Sequence, residues 1–323
     1  MSSSSLTSLQ LRETTSDGVI TDSTKPDNHY SKRLYISNLR NKINPFGRTR
    51  DKLVRLLSCF GATCEPTMES TSPRKAEERI ASNVFSKNNL TDRQKVFYDR
   101  IEAGNILAHW LQQDWMVAAL PTIDGVQLDA IVYGIPSGGI PVAATIATQL
   151  KLPLQVAVVS KILLPWNTEV GCGAVSFRQT VKWNEPFLHS IGLSKERLQK
   201  QMEEALTKVN RRTKALGGVP TIPTREENTA VILVDDGLAS GWTMTLAIEE
   251  FRKMGAKNIV VVVPTGSYDV VLKIAKIADV VFCANIRREP SFAVAAAYEN
   301  WYDEREEEMV QLIRSLNNKS CYK

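Results

Sequence analysis

Thirteen residues constrain this chain more than the rest of it together: Val231-Ile232-Leu233-Val234-Asp235-Asp236-Gly237-Leu238-Ala239-Ser240-Gly241-Trp242-Thr243. Four consecutive apolar side chains form a strand buried on both faces, which is the pattern of a parallel sheet. Two adjacent carboxylates follow at its C-terminal end. A loop with Gly237, Ser240 and Gly241 then turns into a helix, whose first N–H groups and positive dipole end converge on one point. Such a loop binds an anion. The small residues let a phosphate approach, and the Ser240 and Thr243 hydroxyls add donors, each bond to a charged group contributing roughly 1.5–3 kcal/mol. Two acids repel a bare phosphate, but they suit a sugar phosphate whose hydroxyls they accept from. The loop has no Gly-Lys-Ser/Thr ending and no Gly-x-Gly-x-x-Gly, so neither a P-loop nor a dinucleotide fingerprint is present. A solvent-facing Asp-Asp-Gly turn with a helix cap is the plain alternative.

The surrounding pattern predicts an α/β fold with a doubly wound, mainly parallel sheet. A helix with apolar residues from Val96 to Leu111 is expected at 92–113, with Asp92 near its start. Ala130–Tyr133 reads as a strand, 134–139 as a loop, and Pro141 as the start of a helix, where its missing N–H costs nothing. Leu154–Val159 and Ala230–Val234 read as strands, 242–254 as a helix ended by Gly255, 258–263 as a strand, 268–276 as a helix and 279–283 as a strand. Strands and amphipathic helices in alternation imply a sheet covered on both faces, with right-handed crossovers.

Residues 1–90 read differently, and the chain divides near position 90 into an extension and a domain of residues 91–323. Residues 1–30 are rich in Ser, Thr and Asp and lack apolar periodicity, so they are expected to be disordered. Residues 31–60 are basic, from Lys32 and Arg33 to Lys52 and Arg55, with a short amphipathic helix expected near 49–60. This segment is either a solvated arm or a nucleic-acid or membrane-surface contact. Residues 65–90 read as a linker. The whole-chain charge of +5 is too small to imply nucleic acid by itself. Five scattered cysteines argue against a secreted disulfide framework and favour a reducing compartment, here the cytoplasm. Three distant histidines make a His-based metal site or triad implausible. No apolar run approaches the ~20 residues of a membrane span. The Ser-rich start carries Glu13 and Asp17 and no apolar core; it is not a secretory signal, and an organelle transit peptide has little support.

The 231–243 stretch resembles the 5-phosphoribosyl-1-pyrophosphate (PRPP) signature of type I phosphoribosyltransferases. Phe97-Tyr98-Asp99-Arg100 with Ala103-Gly104, the run from Pro136 to Ala143, Gly217-Gly218, and Glu289 to Val294 with Trp301-Tyr302 resemble a mainly prokaryotic, little-characterised group within it. The resemblance covers residues ~95–305. It implies the phosphoribosyltransferase type I fold with a small hood, about 182–225. It implies Asp235 and Asp236 as the catalytic ribose-orienting pair, and Gly237, Leu238, Ala239, Ser240, Gly241, Trp242 and Thr243 as the 5-phosphate loop. It implies the N–H groups of Ser137, Gly138 and Gly139 as the pyrophosphate subsite and 165–180 as a mobile closing loop. Lys161, at the end of the next strand, either reaches pyrophosphate oxygens or is a solvated lysine, and Phe292 or Trp301 either stacks on a base or packs in the core. Arg211 and Arg212 are phosphate contacts or a solvated helix face. Mg²⁺ enters with PRPP, with no metal site built from protein alone. The implied reaction is phosphoribosyl transfer to a nitrogenous base, in a homodimer by analogy. Two positions depart from the group: Ser137 and Ser160 stand where arginines are usual, which removes two bidentate phosphate donors. Trp242 is bulky where small residues are common. The departures favour a second reading, a non-catalytic PRPP- or nucleotide-sensing regulator with a nucleic-acid-binding N-terminal arm.

Overall fold

In a computed structural model, the protein is described over residues 81–115, 130–222 and 229–320. The basic segment at 31–60, the helix expected near 49–60 and the Ser-rich start lie outside the described residues.

The strands fall into two sheets. The first holds β1 (Val84–Phe85), β2 (Ala130–Gly134), β3 (Leu154–Val156), β7 (Ala230–Val234), β8 (Asn258–Ser267) and β9 (Val280–Arg287). These six are parallel, in the order β1-β9-β8-β7-β2-β3. The second sheet is antiparallel, with β4 (Val159–Leu164), β5 (Asn167–Ser176) and β6 (Val181–Trp183) in sequence order. The helices are α1 (Arg100–Trp110), α2 (Gly139–Leu150), α3 (Glu185–Ile191), α4 (Lys195–Ala215), α5 (Trp242–Lys253), α6 (Tyr268–Ala275) and α7 (Glu306–Ser320).

Alternation along the central strands explains why the sheet needs cover on both faces. Tyr133, Val231 and Leu233 pack with Phe251, Met244 and Ile248 on one side. Val132, Ile232 and Val234 pack with Leu107, Val142 and Phe282 on the other. All of these are essentially inaccessible. At about 1.5–3 kcal/mol for each fully buried large apolar side chain, the two cores dominate the stability of the sheet.

Several boundaries differ from the sequence reading. Val84 and Phe85 pair with Val281 and Phe282, and the Phe85 ring stacks on Phe282 at 5.0 Å, so the domain begins ahead of residue 90, inside the expected linker. Two residues carry too little periodicity to announce a strand. The first helix is capped by Asp99, whose side chain accepts from the Glu102 N–H, and not by Asp92, which has φ 57°. The strand expected at 154–159 divides: β3 stays in the main sheet, and β4 leaves it. Residues 167–176, expected as a mobile loop, are the long strand β5, paired with β4 from Val159↔Ser176 to Leu164↔Asn167. Helix α7 was not anticipated. Its acidic start at 306–308 and the buried Met309 and Ile313 carry a helical pattern.

Candidate active site

Sheet order places the site. The chain leaves β2 towards β3 on one side and leaves β7 towards β8 on the other, yet β2 and β7 are neighbours, in register from Ala130↔Ala230 to Gly134↔Val234. The crevice beyond their C-terminal ends is the switch point where open α/β sheets bind ligands. The two glycine-bearing loops, after β2 and after β7, face each other there.

They are tied together at close quarters. The Ile135 N–H donates to the Val234 carbonyl at 2.8 Å. The Pro136–Ser137 peptide is cis. A Cβ on Gly138 would stand 1.7 Å from Asp236 Oδ2, and one on Gly139 would stand 2.8 Å from the Asp235 Cα. Only glycine lets the first loop lie against both acids. On the far side the second loop is pinned to β8 by Leu238 N–H to Thr265 O at 2.9 Å and Ser267 N–H to Leu238 O at 3.0 Å. Gly241, φ 74°, turns the chain into α5.

The acids are differently held. Asp235 Oδ1 accepts from the Asp236 N–H at 2.9 Å. Burial, and then the adjacent Asp236 charge, push its carboxyl well above the ordinary range, with Lys161 pulling the other way. Asp236 Oδ2 accepts from Arg100 Nε at 2.9 Å, and the Tyr298 hydroxyl donates to the Asp236 carbonyl at 2.7 Å. Burial raises Asp236 as well, opposed by Arg100. Arg100 is itself buried. It donates to the Tyr302 carbonyl at 2.8 Å, lies 3.4 Å from Glu304 Oε1, and stands 4.0 Å from the Trp301 ring centroid.

A carboxyl whose folded pKa is raised favours folding at low pH, and that contribution is lost as pH rises through the folded pKa. Asp235→Asn keeps the Oδ1 acceptor and removes the charge. It is expected to raise the Tm by about 2–4 °C at pH 8, the equivalent of ~1 kcal/mol for a domain of this size, and by less at pH 5. An equal shift at both pH values in thermal unfolding would refute the electrostatic origin.

Between the loops and the hood lies a cavity of about 300 Å³. Of the expected residues, Ser137, Gly138, Lys161, Asp235, Asp236, Gly237, Leu238, Ala239, Ser240, Gly241 and Thr243 line it, and so does Ser160. Gly139 sits under Asp235, and Trp242 opens α5 outside the lining. Phe292 and Trp301 do not reach it; Trp301 takes the Arg100 guanidinium and the Tyr298 ring at 5.4 Å. Arg211 and Arg212 both bind Glu306, at 2.7 and 3.1 Å, and only Arg212 lines the cavity. Sequence reasoning overlooked Lys208, which also lines it. Its signal is the i, i+4 spacing to Arg212 on one helix face. The role of Arg100 had no local signal, since its partner lies 136 residues away. Among the described residues no group of three His, Cys, Asp or Glu side chains is placed to hold a metal ion.

No family model matches the chain. A Mycobacterium tuberculosis protein named "putative phosphoribosyl transferase", present in two strains, is 31% identical over 222 residues, 68% of this chain and 46% of that protein. The chain spans about half the length of these curated relatives. Among solved structures, it is similar to TT1426 from Thermus thermophilus, at 25% identity and TM-score 0.48, over 68% of this chain and 98% of that one. It is also similar to a purine phosphoribosyltransferase from Pyrococcus horikoshii, at 17% identity and TM-score 0.32, over 62% and 98%. The signature at 231–243, the sheet order that sets it at a switch point and the curated relatives agree: this chain belongs to the type I phosphoribosyltransferase family.

Proposed function

We propose that the domain transfers the 5-phosphoribosyl group of PRPP to a nitrogenous acceptor and releases pyrophosphate. The observation that carries this reading is the juxtaposition of a buried acid pair with two glycine loops across one crevice. The loop at 237–243 offers backbone N–H groups and the Ser240 and Thr243 hydroxyls to the 5-phosphate. Asp235 and Asp236 accept from the ribose hydroxyls. The loop at 137–139 receives pyrophosphate.

In the reaction the C1–oxygen bond breaks with its electron pair leaving on pyrophosphate. An acceptor nitrogen bonds to C1 and gives its proton to solvent or to a base on the acceptor side. Charge on C1 develops near the two carboxylates, which stabilise it without forming a covalent bond. Arg100 holds Asp236 in place, so the carboxylate is oriented before the substrate arrives. A Mg²⁺ ion entering with PRPP would neutralise charge on the leaving pyrophosphate, beside Lys161 and the 137–139 loop. The site fits an ion brought in by the substrate, because among the described residues no three His, Cys, Asp or Glu side chains are placed to hold one.

The test combines calorimetry of PRPP with Mg²⁺ and pyrophosphate release across a panel of bases. Asp236→Asn is expected to lower turnover about a hundredfold or more. It should cost no more than about 2 kcal/mol of stability, because the amide oxygen still accepts from Arg100. Equal losses in both would remove the assigned role. PRPP binding without base-dependent release favours the regulatory reading, which the serines at 137 and 160 recommend. Pyrophosphate release without any base points to a hydrolase.

A further inference from the structure

The cavity carries more positive charge than its loops account for. Lys161 enters from β4, and Lys208 and Arg212 enter from the hood helix α4. Asp236 already has Arg100, and Arg212 shares Glu306 with Arg211, so Asp235 is the carboxylate left in the lining for Lys161 and Lys208. Among the described residues neither Lys161 nor Lys208 has a hydrogen-bond acceptor or an ion-pair partner. Arg212 is held in place by Glu306, with its side chain 13% accessible. Lys208 is half-buried, and its ammonium is made less basic by burial and then by the nearby Arg212 and Arg211 charges, with Glu306 opposing. A half-buried ammonium near two guanidiniums that share the single carboxylate of Glu306 leaves an excess of positive charge there. It is relieved when an anion with several charges enters.

The same cavity wall explains where that anion sits. Ser137, in the first glycine loop, and Ser160, on β4, are both in the lining, and neither side chain brings a charge. Ser160 is buried, its hydroxyl donating back to the Lys161 carbonyl at 3.4 Å. The cations that loop and strand lack are presented across the gap by α4, one helical turn apart.

We infer that Lys208 and Arg212 of the hood helix, with Lys161, form the pyrophosphate-receiving subsite, supplying from the hood the charge that Ser137 and Ser160 do not. This rests on the phosphoribosyl-transfer reading. It assigns α4 a role in holding the leaving group, beyond covering an acceptor.

The test uses the full chain with Mg²⁺ and three probes in calorimetry: PRPP, inorganic pyrophosphate and ribose 5-phosphate. Lys208→Met is expected to weaken PRPP and pyrophosphate about tenfold or more, as loss of a charge-assisted contact does. Ribose 5-phosphate, which engages the 237–243 loop and the acid pair but carries no pyrophosphate, should stay within about twofold of wild type. Lys208→Arg should restore most of the loss. Arg212→Met should act in the same direction, with circular dichroism and Tm checking that its loss of Glu306 leaves the fold intact. The inference is overturned if Lys208→Met binds pyrophosphate like wild type. It is equally overturned if ribose 5-phosphate weakens in parallel, or if only acceptor binding suffers, since the cations then serve the 5-phosphate or an anionic acceptor. If the wild-type protein binds none of the three probes, the phosphoribosyl reading itself fails, and that failure is visible before any variant is made.

Discussion

Arg100→Met is expected to destabilise the domain by about 3–5 kcal/mol, the usual cost of removing one partner of a buried ion pair. Arg100 closes a knot of four groups. Its guanidinium pairs with Asp236, approaches Glu304, donates to the Tyr302 carbonyl and covers the Trp301 ring. Methionine fills much of the volume and satisfies none of the polar atoms. Two carboxylates, 15% and 6% accessible, then lie unpaired. In thermal unfolding at pH 8 the Tm should fall by on the order of 10 °C. The penalty is mostly charge. Burial raises both carboxyls, and the Arg100 charge is what holds them down. Without it their folded pKa values rise further, so protonation at low pH favours the folded variant and the loss should shrink at pH 5. A Tm within a degree or two of wild type at pH 8, or a loss independent of pH, would show that Arg100 does not carry this charge balance.

Gly138→Ala should abolish PRPP binding and turnover to a similar degree, by about a hundredfold, the scale of a ~1 Å misplacement in a reacting site. The added methyl would occupy the position of the Asp236 carboxylate, 1.7 Å from Oδ2, and would lie 2.8 Å from Arg100 Nε. Either the loop retreats from the crevice, or Asp236 leaves its guanidinium. Both outcomes spoil the site. Gly138→Ala/Asp236→Gly separates the causes, because the obstructing carboxylate is gone. The double variant still lacks the Arg100 partner, so its stability loss should fall short of the sum of the two single losses while PRPP binding stays lost, a non-additive result expected of groups in contact. If Gly138→Ala alone binds PRPP normally, the close approach of the two loops is not part of the site.

These two residues make different contributions. Arg100 acts on the charge of the acid pair from behind, through a helix and a C-terminal segment that never line the cavity. Gly138 acts by its lack of a side chain, in a loop that faces the acid pair across the crevice.

Local pattern was enough for the centre of this protein. A run of four apolar residues with acids and small residues behind it specifies a buried strand, a sharp turn and a helix N-terminus, because each step is set by neighbours within a few residues. The core strands and the helices at 242–253 and 268–275 were legible for the same reason. What the sequence could not show is everything decided by distance along the chain. Arg100 meets Asp236 across 136 positions, and Lys208 reaches the cavity that Ser137 also lines only because α4 packs on β4 and β5. The two-residue strand at Val84 is stabilised entirely by β9, some two hundred residues later. Residues 167–176 have no preference strong enough to distinguish a loop from a hairpin, and pairing with β4 made the choice. Trp301, aromatic and near the end of the signature, looked suited to stack on a base, and the fold gave its ring to a guanidinium instead. Sequence determined which atoms the site contains at its centre; tertiary packing determined which charges surround them, since pairing across the chain follows the order of the sheet and not the spacing of residues.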